Sequence, residues 1–94
     1  MKVPTLNGDI DTSEMDLTLM HEHLFVFSDG VQEAFPRAYD LEGIVADVTE
    51  KMRQAAGHGV RTVVDLTVLG LGRKLPLMQR VAAQVPQVRY IAAT

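Results

Sequence analysis

His21 and His23, one residue apart in the run Leu17–Phe27 (LTLMHEHLFVF), have a residue type and spacing that could do chemistry. The run around them is almost continuously apolar, the pattern of a strand covered on both faces, as in a parallel sheet. Residues two apart on a strand point the same way. Leu19, His21, His23 and Phe25 are therefore expected on one face, with Thr18, Met20, Glu22 and Leu24 on the other. Both imidazoles then converge on one volume. Neutral imidazoles are good ligands for divalent first-row metals, but two do not complete a site, and further ligands must come from elsewhere. The competing reading is a pair of structural histidines satisfied by backbone or carboxylate partners. A place at the C-terminal end of a parallel strand, where α/β folds put their chemistry, favours the metal reading.

A second chemistry-bearing segment is Val60–Val68 (VRTVVDLTV), where Val63, Asp65 and Thr67 share a face. A metal-bound histidine usually donates its second ring N–H to a carboxylate or carbonyl, which makes Asp65 the candidate partner behind the ligands. The equal alternative is that Asp65 satisfies backbone donors at the end of its own strand. Glu22 points away from the histidine side, toward a helix layer, and is read as structural. His58, in the helix-ending GHG of residues 57–59, is expected to be exposed near the negative end of a helix dipole and not to be a ligand. Phe25 and Phe27 either wall a substrate pocket or pack in the core; Phe25 is retained as a candidate substrate contact. Arg73 in LGLGRK suits a loop-positioning role through carbonyl acceptors.

The elements that must position these residues follow in order. Pro4 to Ile10 is a short extended segment with a turn at Asn7-Gly8, a hairpin or a cover at one end of a domain. Ser28 to Asp40, broken by Gly30 and Pro36, is a loop, and long enough to suggest a functional one. Asp40 is placed to cap a helix whose apolar stripe is Leu41, Ile44, Val45, Val48, Met52, Ala55 and Ala56. After the strand at 60–68, Pro76 suits the first turn of a second helix with a stripe at Leu77, Met78, Val81, Ala82 and Val85, stopped by Pro86. Val88 to Thr94 is a third strand. Strand, helix, strand, helix, strand implies βαβ crossovers and a parallel sheet. Three strands are too few to protect the edges of such a sheet. The expectation is therefore the N-terminal part of a longer α/β chain, or a chain that assembles with another copy.

Composition excludes several classes. The 94 residues are 47% hydrophobic and 22% charged, as in ordinary globular domains, and a net charge of -3 without a basic cluster argues against nucleic acid. With no cysteine, neither a disulfide framework nor a thiolate metal site is available. No apolar run nears membrane-spanning length and no leader-like segment precedes Asp9, so a cytoplasmic protein with no membrane partner is expected.

The segments DLTLMHEHLF and GVRTVVDLTVLGLGRKLPLMQRVA, with the closing YIAAT, closely resemble the phosphotriesterase family, including its lactonase members, within the amidohydrolase superfamily. The likeness covers nearly the whole chain, and two segments in the family's order and spacing are far more specific than His-x-His alone. It implies a (β/α)8 barrel with two divalent metals at the C-terminal face, zinc first, with cobalt, iron, nickel or manganese as alternatives. The family's ligand role for the first strand carries over to His21 and His23. Its remaining ligands, a carboxylated lysine on the fourth strand, histidines on the fifth and sixth and an aspartate on the eighth, lie on strands this sequence does not contain. The resemblance also implies attack by a metal-bound hydroxide on a small ester, lactone or organophosphate, and dimerisation is common in the family. Two residues depart from its pattern. Asp16 stands where glycine is usual, which should affect only the beginning of the strand. Lys74 stands where an acidic residue is common, which should loosen a loop at the rim of the site.

A barrel of this kind needs about 250 residues. The reading is accordingly that residues 1–94 are the N-terminal fragment of one hydrolase barrel domain, a hairpin, about two βα units and a third strand. Its parent hydrolyses lactones or phosphotriesters, with a lactone favoured. No catalytic residue lies within the chain itself, which alone should be inactive. The alternatives are a truncated, non-catalytic half-barrel prone to pairing or aggregation, and another hydrolase of the amidohydrolase superfamily, such as a cyclic-amide hydrolase or a nuclease.

Overall fold

A three-stranded parallel sheet in the order β3-β4-β5 carries the candidate residues, and two helices pack on one of its faces. The computed structural model describes residues 1–28 and 30–93. Asp29 in the expected loop and Thr94 in the expected last strand lie outside the described residues. The elements are β1 (Lys2–Val3), β2 (Ile10–Asp11), β3 (Thr18–Glu22), α1 (Val31–Ala34), α2 (Leu41–Gly57), β4 (Thr62–Asp65), α3 (Leu75–Gln84) and β5 (Arg89–Ala92). Short 3-10 turns at Thr12–Glu14 and Leu69–Leu71 complete them. The strands are shorter than the apolar runs that announce them. His23 lies just beyond the end of β3, and Thr67 two residues beyond β4.

The helices begin and end for the reasons the sequence suggests. Asp40 caps α2 by accepting the Gly43 N–H at 3.1 Å, an interaction worth about 1 kcal/mol. Helix α3 has Pro76 in its first turn, where the absent N–H costs nothing, and stops before Pro86. Val45 and Val48 of α2 and Met78, Val81 and Ala82 of α3 form one cluster with Val63 of β4 and Tyr90 of β5. Val63, Val81 and Tyr90 are wholly buried, each contributing about 1.5–3 kcal/mol through lost apolar surface. The Arg80 guanidinium also meets both Glu42 carboxylate oxygens, at 3.0 and 2.6 Å, and so joins α3 to the start of α2 at the surface.

Register along the sheet corrects the expectation of strict alternation. Leu19 pairs with Val63 and Val63 with Tyr90, which places this row on the helix side. The ladder then shifts between Leu19 and Glu22, and Glu22 comes opposite Asp65. Met20 and His21, successive residues, are both exposed as a result. An extra residue in one strand leaves its neighbours out of the two-residue repeat, the behaviour of a bulge. Leu19 therefore does not share a face with His21.

The N-terminal segment forms the expected hairpin, with Lys2 opposite Asp11 and Val3 opposite Ile10. Its turn is closed by the Gly8 N–H donating to the Thr5 carbonyl, with Gly8 at φ +103°. From this loop the Leu6 N–H donates to the Tyr90 carbonyl at 2.8 Å, so the hairpin covers part of β5. A capping box then follows, in which Asp11 accepts the Ser13 N–H and Glu14 accepts the Asp11 N–H. Asp16 comes next, at φ +53°. That is the left-handed region, open to glycine and unfavourable for residues with a Cβ, although Asp tolerates it better than most. The turn at Asp16 lets the Leu17 carbonyl accept the Arg61 and Thr62 N–H groups and begins the β3–β4 pairing.

Two outcomes are expected. Asp16→Gly should stabilise the chain by about 0.5–1 kcal/mol in urea denaturation, because relief of the left-handed strain outweighs glycine's greater freedom when unfolded. Burial pushes the Tyr90 phenol from 10.0 up to about 12. The unfolded chain ionises this tyrosine at lower pH than the folded chain, so stability is unaffected below about pH 10 and falls between about pH 10 and 12. The loss reaches roughly 2–3 kcal/mol. Urea melts across this range should show the decline in the parent and little of it in Tyr90→Phe.

Candidate metal centre

The histidines sit at the C-terminal end of β3, at the same end of the sheet as the loops after β4 and β5. Their rings lie edge to face with centroids 5.4 Å apart and planes inclined at 67°. With metal–nitrogen bonds of about 2.0–2.1 Å, two imidazoles on one tetrahedral ion stand with ring centres about 5 Å apart, a separation close to the one seen here. Both residues are exposed. Among the described residues, no group of three or more His, Cys, Asp or Glu side chains converges into a complete site. The two imidazoles stand together without a third such side chain beside them among the described residues.

Beneath them is a buried polar arrangement. The Asp65 carboxylate, 1% exposed, accepts the Leu24 N–H at 2.9 Å on one oxygen and the Thr67 N–H at 2.8 Å on the other. The Thr67 hydroxyl lies 2.9 Å from Nδ1 of His23. Asp65 thus reaches the histidine strand through the main chain, while the side chain that meets the His23 ring is Thr67. Sequence reasoning placed Thr67 on the Asp65 face without giving it this role. The signal was present: a hydroxyl two residues past a strand-end carboxylate. Among the described residues the His21 ring has no hydrogen-bond partner.

The other candidates find different surroundings. Phe25 is 4% exposed in the main hydrophobic cluster, its ring stacked on Phe27 at 6.2 Å, and Phe27 meets Tyr39 edge-on at 4.9 Å. Its position is that of a core residue behind the strand end. His58 is exposed at the C-terminus of α2, where its N–H caps helix carbonyls. The Arg73 guanidinium donates to the Ala93 carbonyl, tying the loop after β4 to the segment after β5. Lys74 forms an ion pair with Glu33 of α1, whose carboxyl is held below its ordinary range by that hydrogen bond. In place of loosening the rim, Lys74 fastens the two loops together. Gly72 makes their approach feasible: at φ +75°, a Cβ there would meet Cβ and the carbonyl oxygen of Phe27 at 2.7 Å. The Phe27 N–H completes the contact by donating to the Leu71 carbonyl. A cavity of about 300 Å³ opens between these loops, lined by residues including Phe27, Gln32, Leu69 and Arg73, and neither histidine lines it.

Hairpin, strand, helix, strand, helix and strand, with β3, β4 and β5 all parallel, is an order with which a (β/α)8 barrel can open. The phosphotriesterase family model matches residues 1–94. The chain is 40% identical over 91 residues to a phosphotriesterase homology protein of Mycobacterium tuberculosis, covering 96% of this chain and 28% of that protein. It is 37% identical over 95 residues to an aryldialkylphosphatase of Saccharolobus solfataricus, covering 100% of this chain and 30% of the relative. The solved phosphotriesterase structure from Mycobacterium tuberculosis superposes with a TM-score of 0.91 at 38% identity, over 100% of this chain and 29% of that one. The chain belongs to the phosphotriesterase family. It spans under a third of the length of these relatives.

Asp65→Asn keeps one acceptor oxygen but turns an NH2 group toward an N–H and removes the charge. It should destabilise the chain by about 2–4 kcal/mol in denaturant titrations, because a buried donor is left unsatisfied.

Proposed function

We propose that His21 and His23 are the first two ligands of a binuclear metal-dependent hydrolase that acts on lactones or phosphotriesters, with zinc as the metal. The observation that carries the reading is the paired exposed imidazoles at the C-terminal end of β3, at a separation suited to one shared ion. Membership of the phosphotriesterase family supports it, as does likeness to an aryldialkylphosphatase. When bound, divalent metals supply Lewis acidity, polarising a phosphoryl or carbonyl oxygen and lowering the pKa of water.

The chain's own residues orient and support. His21 and His23 present imidazole nitrogens on the open side of the sheet. The Asp65 carboxylate holds the main chain on either side of that site. The loops joined by Lys74 and Glu33 form part of the rim. The remaining ligands and the proton-transfer group belong to strands outside this sequence. In this reading the enzyme is cytoplasmic and takes a small neutral substrate, a lactone in preference to a phosphotriester, and Phe25 acts behind the pocket by packing. No helix among the described residues is long and apolar enough to cross a membrane.

The test is metal content and hydrolysis in the natural full-length protein. The His21→Ala/His23→Ala variant should lose at least one of the two zinc ions and reduce lactone and phosphotriester hydrolysis by at least about 100-fold, with rates on a panel of both substrate classes deciding which is preferred. Retained metal and undiminished hydrolysis would sink the proposal.

A further inference from the structure

The His23 ring is held from behind by a side chain with no other polar contact among the described residues, and the geometry points to a specific task for it. We infer that Thr67 is the positioning residue for His23: its hydroxyl oxygen accepts the Nδ1 proton and so reserves Nε2 for the metal. The inference rests on the ligand role proposed above for His23.

A neutral imidazole carries one N–H and one lone pair, and ligation consumes the lone pair. Nδ1 faces the buried Thr67 hydroxyl at 2.9 Å, and Thr67 is 1% exposed. A metal held by this ring would therefore be held through Nε2. With Nε2 bare for ligation, the ring proton resides on Nδ1, and Thr67 Oγ1 is the acceptor in reach. The opposite arrangement, Thr67 donating to Nδ1, would leave Nε2 protonated and unable to ligate.

Thr67 is itself fixed. Its N–H donates to Asp65, and the other Asp65 oxygen takes the N–H of Leu24, the residue after His23. His23 is therefore anchored twice to one carboxylate, through its main chain by way of Leu24 and through its ring by way of Thr67. Among the described residues His21 has no such anchor. The two rings differ accordingly: His23 has a side-chain hydrogen-bond partner, and among the described residues His21 has none. Outer partners of this kind are worth about 10–100-fold in metal affinity.

The test uses the natural full-length protein with 15N-labelled histidine, zinc as the metal and a chromophoric chelator as competitor. In the zinc-loaded parent, long-range 1H–15N spectra should show His23 protonated at Nδ1 and ligated through Nε2. Ligation through Nδ1 overturns the inference, and this measurement stands even if a Thr67 variant fails to fold. Thr67→Val should bind zinc about 10–100-fold more weakly than the parent, and Thr67→Ser should restore the affinity. Parental affinity in Thr67→Val, or failure of Thr67→Ser to restore it in a folded protein, overturns the inference. The His21→Ala/His23→Ala variant separates the two levels. If it keeps its zinc, the ligand reading fails. If it loses zinc while Thr67→Val keeps it, only the role of Thr67 fails.

Discussion

The structure turns on one buried carboxylate. Asp65 stands at the end of the central strand and accepts main-chain N–H groups from both sides of the site, Leu24 after the histidine strand and Thr67 after its own. At that level of burial both side-chain oxygens need hydrogen-bond partners, and two backbone donors provide them. The Asp65 carbonyl also receives the Ala93 N–H, which brings the end of β5 to the same residue. All three strand ends are thereby held relative to one another where the sheet gives way to loops.

Around this point the loops are braced by contacts of different kinds. Gly72 lets the turn after β4 lie directly on Phe27, Arg73 reaches across to the Ala93 carbonyl, and Lys74 pairs with Glu33. The ion pair is exposed and contributes little to stability by itself. It lies where the two loops already meet. Steric fit at Gly72 and the contacts of buried Phe25 and Phe27, with half-buried Tyr39 edge-on to Phe27, supply the firmer restraint.

The helix layer serves the site more remotely. By burying Val63 and Tyr90 against α2 and α3, it sets the register of β4 and β5 and commits the other face of the sheet to the exposed side. The bulge in β3 then re-aims the residues that follow Leu19, and the histidines emerge where the alternating pattern alone would not have put them. Bulges near functional sites commonly act in this way, by redirecting a side chain.

The sequence by itself determined the order of the strands and the two long helices, though not the short helix α1 inside the segment read as a loop, together with the cap at Asp40, Pro76 in the first turn of α3, the hairpin turn at Asn7-Gly8, the parallel sheet and the family. These follow from local periodicity, from the fixed conformational preferences of Asp, Pro and Gly, and from two motifs in a diagnostic order. The departure at Asp16 was legible from the family pattern, and the structure supplies its reason, a backbone conformation that glycine accommodates best. Only the tertiary structure decided that Leu19 parts company with His21, that Phe25 packs in the core, that Lys74 joins two loops, and that Thr67 meets the His23 ring while Asp65 holds the main chain. Each of these depends on the register of one strand against another or on where two loops meet. Such long-range geometry is set by packing across distant parts of the chain, to which a local pattern of residues does not respond.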